Sequence, residues 1–313
     1  MGKNGSDDDA CDSHEPVLVE EILFWLQCKP GGVYVDCTLG YAGLAVRILD
    51  HSAPDGILVG IDRDMTALAE ARMRLGGAIA RVHVRHGNFC DLKTHVADSG
   101  VRQVDGVIFD LGVSSPQLDR AERGFSFRED GPLDMRMDQS EGSTAADLIR
   151  DLQEAELADL IYHLGEERYA RRIARAIVQA RTQGVIGTTG QLAAVVKRAV
   201  PASYRYGRIH CATRTFQALR IAVNRELEVL EPALRDAVDI LAPGGRVCVV
   251  SFHSLEDRIV KNTFRAMASG PQASLRVLTK KPVIASEIER RRNPRSRSAK
   301  LRVGERIAKE CIQ

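Results

Sequence analysis

The chain has 313 residues, 44% of them hydrophobic, with 44 lysines and arginines against 42 aspartates and glutamates. That is enough for two domains, or for one with a large insertion, and the near balance of charge excludes a uniformly basic or acidic protein. No apolar run reaches the roughly 20 residues of a membrane helix, and seven cysteines without CxxC spacing argue against a disulfide framework or a zinc site.

Residues 1–12 are rich in polar residues and lack an apolar core, so they read as a disordered N-terminus, neither signal nor transit peptide, of a cytoplasmic protein. Val17 to Leu26 has helical periodicity and carries the only tryptophan, Trp25, expected against a sheet. Val33 to Asp36 is a short β-rich run, followed by the turn Cys37-Thr-Leu-Gly-Tyr-Ala-Gly-Leu44 and a helix through Asp50. Ile57 to Asp62 is a second strand, Met65 to Leu75 a helix, Arg81 to His86 a third strand and Val104 to Asp110 a fourth. Strands alternating with helices predict an α/β fold with a parallel, doubly wound sheet. After Asp119 that pattern stops. Residues 119–213 read as an inserted helical domain, with Thr144-Ala-Ala-Asp147 and Thr188-Thr-Gly-Gln191 as capping boxes and Pro201 as a stop. Arg214 to Leu241 reads as one long helix back to the sheet. Pro243-Gly-Gly turns into a fifth strand, Arg246 to Ser251, and Leu275 to Leu278 and Lys300 to Val303 pair as late antiparallel edge strands. The sheet domain is thus 13–118 plus 214–313.

Charge is uneven along this chain. Asp119 to Asp159 holds 12 acidic and 5 basic residues, Tyr162 to Arg225 holds 2 and 12, and Arg290 to Lys309 holds 1 and 9. Two basic blocks in a near-neutral protein point to a polyanion partner, against the plainer reading of a solvated face and a basic tail.

The chemistry gathers where strands end, since ligands of open α/β sheets bind beyond the carboxyl ends of the strands. Gly40-Tyr-Ala-Gly43 lets backbone N–H groups approach a ligand. Asp62, 22 residues after Gly40, suits two ribose hydroxyls. Phe89 is placed to stack on an adenine, or is simply a core aromatic. Asp110 and Gln117 complete the row. No lysine or arginine lies between Asp36 and Leu44, so a nucleoside with one cationic centre fits better than a pyrophosphate. That describes S-adenosylmethionine, with no metal required.

These motifs resemble the bacterial small-subunit ribosomal RNA (cytosine-N4)-methyltransferase family, also called MraW or RsmH. The resemblance runs through His14-Glu-Pro-Val-Leu, Asp36-Cys-Thr-Leu-Gly, Gly60-Ile-Asp-Arg-Asp64, Asp110-Leu-Gly-Val-Ser-Ser-Pro-Gln-Leu-Asp119 and Arg123-Gly-Phe-Ser-Phe127. It continues through Gly131-Pro-Leu-Asp-Met-Arg-Met-Asp138, Ala212-Thr-Arg-Thr-Phe-Gln-Ala-Leu-Arg220, Ser251-Phe-His-Ser-Leu-Glu-Asp-Arg258 and Asn293-Pro-Arg-Ser-Arg-Ser-Ala-Lys300. It implies a class I S-adenosylmethionine-dependent methyltransferase sheet interrupted by a helical domain. It also implies cofactor contacts at Ala42, Gly43, Leu44, Asp62, Phe89, Asp110 and Gln117, and N4-methylation of a cytosine in the decoding region of 16S ribosomal RNA. The partner would be that RNA within the 30S subunit, with no membrane partner and homodimerisation open. The family usually has Gly-Gly-His where this chain has Ala42-Gly43-Leu44; alanine there calls for a negative φ, and leucine removes a hydrogen-bonding side chain. Proline is also usual where Cys211 stands.

Cytosine N4 is a poor nucleophile, because its lone pair is delocalised into the ring. Asp110 or Ser115 is a candidate to accept from it, next to Ser114. His14, Asp134 and Arg136 are candidates for holding the base, the last two equally readable as an interdomain ion pair. His253 lies in a family motif. Arg171, Arg172, Arg175 and Arg214 are candidates for gripping phosphates, as is the Arg290–Lys309 segment. The rivals are a catalytically silent RNA-binding assembly factor and an amino-methyltransferase acting on another nucleic acid. A DNA enzyme of that kind typically carries a Pro-Pro-aromatic motif, whereas Pro116 here is followed by Gln117.

Overall fold

The computed structural model describes residues 16–308; the expected disordered N-terminus and His14 lie outside them. Seven strands, β1 (Val33–Asp36), β2 (Ile57–Asp62), β3 (Val82–His86), β4 (Val104–Asp110), β5 (Leu241–Ser251), β6 (Leu275–Val277) and β7 (Lys300–Arg306), form one sheet in the order β3-β2-β1-β4-β5-β7-β6. The first five are mutually parallel, and β7 runs antiparallel to both β5 and β6. The pairing of the last two strands is as expected, but only β6 is an edge; β7 sits between β6 and β5.

Side chains alternate across the strands. Tyr34, Leu58, Ile108, Cys248 and Val250 pack under the helices Val19–Leu26, Gly43–His51 and Met65–Leu75. Val35, Val59, Val107, Phe109, Val247 and Val249 pack on the other face, against Leu92–Ala97, Glu226–Ile240 and Ser254–Met267. Trp25 is partly buried against the first cluster. A third apolar cluster, from Phe125 to Leu219, lies apart from the sheet between the helices Ala145–Asp151, Glu154–Gly165, Ala170–Gln183, Thr189–Ala199 and Thr213–Asn224. Thr144 and Thr188 close the capping boxes read from the sequence.

Three expectations are corrected. The helix expected from Arg214 to Leu241 is two, Thr213–Asn224 and Glu226–Ile240, broken at Arg225 with φ 52°. The cause is Asn224, 1% exposed, whose amide bonds Met135 O and Met137 N. Its carbonyl, which a continuing helix would use, accepts from Arg63 (2.8 Å). Second, the fifth strand begins at Leu241, and Pro243-Gly-Gly forms a bulge opposite β4. Third, the inserted segment opens without an α-helix between Asp119 and Ala145. It folds back on itself, Met135 N donating to Arg123 O and Leu133 N to Gly187 O. Gly124 makes this possible: its φ is +73°, and a Cβ there would lie 2.3 Å from Pro132 O.

Candidate active site

In the sheet order, β1 lies between β2 and β4, so the connections diverge there, the place where open α/β sheets bind ligands. A cavity of about 320 Å³ opens at that edge, lined by the turns after β1, β2, β4 and β5. Asp36, Asp62 and Asp110 each end a strand and line it. Asp36 accepts from Thr38 N (3.1 Å), and the Thr38 hydroxyl accepts from Asp110 N (2.7 Å), so one threonine ties the two strand ends together. Burial pushes the Asp36 carboxyl up to about 7, the Asp62 charge adding to it. Asp62 accepts from Gly40 N (2.7 Å) and Asp64 N (2.8 Å); burial raises its carboxyl too, against those hydrogen bonds. Asp110 Oδ1 is buried with no hydrogen-bond partner among the described residues, and burial, then the charges of Asp36 and Glu256, push the carboxyl up to about 8.

The far wall comes from the β5 turn and the helix break. Arg220 grips Glu226 at two points (2.9 and 2.8 Å). Glu256 accepts from Phe252 N (2.8 Å) and His253 N (3.2 Å). Burial works to raise its carboxyl, and His253, Arg220 and the Phe252 amide outweigh it, leaving it below the ordinary range. Glu226, His253 and Glu256 bring ligand-type atoms within 4.8 Å of one another, with the Arg220 guanidinium on Glu226. Sequence reasoning quoted the motifs holding Arg220 and Glu256 but gave those two residues no role, and it missed Glu226. No periodicity marks a side chain that reaches a cavity across a helix break.

Of the expected cofactor residues, Gly43, Leu44, Asp62, Phe89, Asp110 and Gln117 line the cavity. Ala42 does not; it is fully buried, and its φ is +60°, not negative. That left-handed turn costs an alanine about 1–2 kcal/mol, while its buried methyl returns roughly 0.8 kcal/mol, so the departure from glycine is tolerable. A Cβ on Gly43 would meet Pro16 Cγ at 2.7 Å, so glycine is needed there for packing. Leu44 lies on the wall with its side chain in the first cluster. Phe89 sits edge-on to Phe109, with centroids 5.5 Å apart.

Gln117 has both ends of its amide engaged: Oε1 accepts from Ser114 N (3.0 Å), and Nε2 donates to Asp64 Oδ2 (2.9 Å). The same Asp64 oxygen takes Arg123 (2.5 Å), a buried pair that joins the sheet edge to the inserted segment. Ser115, 6% exposed, lines the cavity beside Asp110. Asp134 and Arg136 do not line it; they pair with each other (2.8 Å) and close their own loop.

The donor set fits S-adenosylmethionine. Carboxylate oxygens only accept, so they match ribose hydroxyls and a positive centre. A buried carboxylate oxygen without a partner is costly unless it is protonated or a ligand meets it.

Sheet order, reversed seventh strand and a carboxylate-lined cavity at the point where the connections diverge define a class I S-adenosylmethionine-dependent methyltransferase. Within that class, residues 12–307 match the MraW methylase family, and the chain belongs to it. It is 53% identical over 308 residues to the ribosomal RNA small subunit methyltransferase H of Geobacter sulfurreducens, covering 94% of this chain and 99% of that one. It is 49% identical to the protein of that name from Syntrophus aciditrophicus, covering 94% and 98%. A solved rRNA methylase from Streptococcus thermophilus overlays on 94% of this chain and 98% of its own at 10% identity and a TM-score of 0.44, too distant to add to the argument.

Proposed function

We propose that this protein methylates N4 of a cytosine in the decoding region of small-subunit ribosomal RNA, in the cytoplasm and within the 30S subunit. The observation that carries it is the unpartnered Asp110 Oδ1 at the cavity floor, beside the Ser114–Ser115 turn. Bound S-adenosylmethionine supplies an electrophilic methyl group on a sulfonium. The protein's part is to align N4 with that group, worth roughly 7–11 kcal/mol, and to accept a hydrogen bond from N4, worth about 10²–10⁴-fold. Asp110 and Ser115 are the two acceptors offered. Asp62 takes the ribose, Phe89 flanks the adenine, and the Gly40–Leu44 turn brings its backbone to the cofactor. Gln117 acts by holding the turn. Residues 119–213 serve as the domain that recognises the RNA. The test is mass spectrometry of small-subunit ribosomal RNA from cells with and without the gene. One cytidine should lose a single methyl without it; an unchanged methylation pattern would overturn the reading.

The two basic blocks differ in what they face. In the C-terminal block, buried Arg302 braces Asp257 together with Lys300, and Arg306 pairs with Asp239, while Arg291 and Arg295 make more exposed pairs with Glu287 and Asp119. In the inserted segment, Arg171 and Arg172 have no carboxylate partner among the described residues, and Arg175 has only an exposed contact with Glu154 (3.4 Å). Such a pair adds little to stability. Replacing Arg171, Arg172 and Arg175 with glutamine should therefore leave the melting temperature near that of the parent. The slope of RNA affinity against salt should flatten by about one unit per lost phosphate contact. A lower melting temperature with an unaltered slope would make these arginines braces instead.

A further inference from the structure

The inserted domain holds a second hollow, distinct from the carboxylate cavity, lined by Arg168, Tyr204, Gly207, Arg208, Ile209 and Arg214. Its base is rigid. Glu167, fully buried, accepts from the Tyr204 hydroxyl (2.7 Å) and from Tyr169 N (2.8 Å). The two tyrosine rings meet edge-on with centroids 4.9 Å apart, and the Arg168 guanidinium lies 4.8 Å from each. Ile209, 52% exposed, lines it, and Tyr206, 86% exposed, directly precedes the lining residue Gly207 in the chain. Both acidic residues of this basic stretch are spent, Glu167 on the tyrosines and Glu166 on Ser254 and Arg258 (3.0 Å). Arg168 and Arg208 therefore have no carboxylate partner among the described residues, and Arg214 binds only the Glu166 carbonyl (2.6 Å).

Arginines beside an exposed aromatic ring are what single-stranded nucleic acid binds: phosphate on the cations, base on the ring. The hollow and the carboxylate cavity are also joined by one helix. Helix Thr213–Asn224 carries Arg214 into the hollow and, six residues on, Arg220 into the carboxylate cavity. Six helical residues span about 9 Å. We propose that this hollow is a subsite for an unpaired nucleotide flanking the target base, its phosphate on Arg168, Arg208 and Arg214 and its base against Tyr206. The proposal rests on the RNA substrate argued above.

The test is the full-length double variant Arg208→Ala with Tyr206→Ala, both in an exposed loop away from the cofactor cavity. Binding of a labelled single-stranded oligoribonucleotide, and of the same sequence as a duplex, is followed by fluorescence anisotropy over a salt series. Cofactor affinity is followed by calorimetry, and labelled methyl transfer with small subunits from cells lacking the gene. The variant should bind the single strand about tenfold more weakly, with a salt slope lower by about 0.7, and with parental cofactor affinity. Parental single-strand affinity would overturn the subsite, and so would an equal loss on the duplex, which would make the loop a general phosphate patch. If the variant loses single-strand binding while the parent methylates no ribosomal RNA, the subsite stands and the assigned substrate falls.

Discussion

Asp62→Ala is expected to weaken S-adenosylmethionine binding by about 10²–10⁴-fold, since each of two hydrogen bonds to a charged acceptor is worth about 1.5–3 kcal/mol. The carboxylate closes β2 on the cavity wall and already holds Gly40 N and Asp64 N, so the acceptor is fixed before a ligand arrives. It also shapes the glycine turn, and alanine removes that support as well. Asp62→Asn separates the two effects: it keeps the shape and one acceptor oxygen, and its affinity should fall between alanine and the parent. Calorimetry reads the affinity, and a thermal melt without cofactor reads the turn. Parental affinity in the alanine variant would remove Asp62 from the cofactor site. A melting temperature that falls in step with affinity would make Asp62 a support for the turn and no more.

Asp62 was legible because its signals are local. A continuous apolar run ends on a carboxylate, and a glycine turn precedes it at the spacing of a nucleoside site. Asp110 was legible in the same way, as the carboxylate that ends an apolar strand. The helix break at Arg225 was not legible, because its cause is distant: Met135, Met137 and Arg63 take the polar groups of Asn224. Nothing in the apolar pattern of 214–241 reports that. Arg220 and Glu226 consequently went unread, although the break folds one onto the other at the cavity. The irregular stretch before Ala145 escaped for a related reason. Its backbone groups are satisfied by Arg123 O and Gly187 O, so neither helix nor strand periodicity is needed there. Gln117 was legible as a polar residue at this edge, where it lines the cavity, but not its bonds to Ser114 and Asp64, which depend on a turn and on a strand end distant in the chain.

Asp110 sets the expected pH response. Its carboxyl is pushed up to about 8 and that of Asp36 to about 7, both above the ordinary 3.8. Without ligand, the protonated forms contribute stability that is fully present below about pH 4. It is lost as pH rises through about 7 and then about 8. A cationic cofactor reverses the preference, because it binds best beside the ionised carboxylate. Apparent affinity for S-adenosylmethionine should therefore rise about tenfold per pH unit below about 8 and level off above it, and binding at pH 7 should release about one proton. Calorimetry from pH 6 to 9, in two buffers of different ionisation enthalpy, measures both quantities. Asp110→Asn should stabilise the ligand-free protein above pH 8, where the parent must hold a buried charge. It should also remove the proton release centred at about 8, leaving only what Asp36 contributes below it, and should slow methyl transfer by about 10²-fold or more if Asp110 accepts from N4. Parental affinity that is flat across this range, with no proton released, would mean that Asp110 is not in contact with the positive centre. In that case Ser115 remains as the acceptor at the cavity floor, and Ser115→Ala should carry the loss of rate instead.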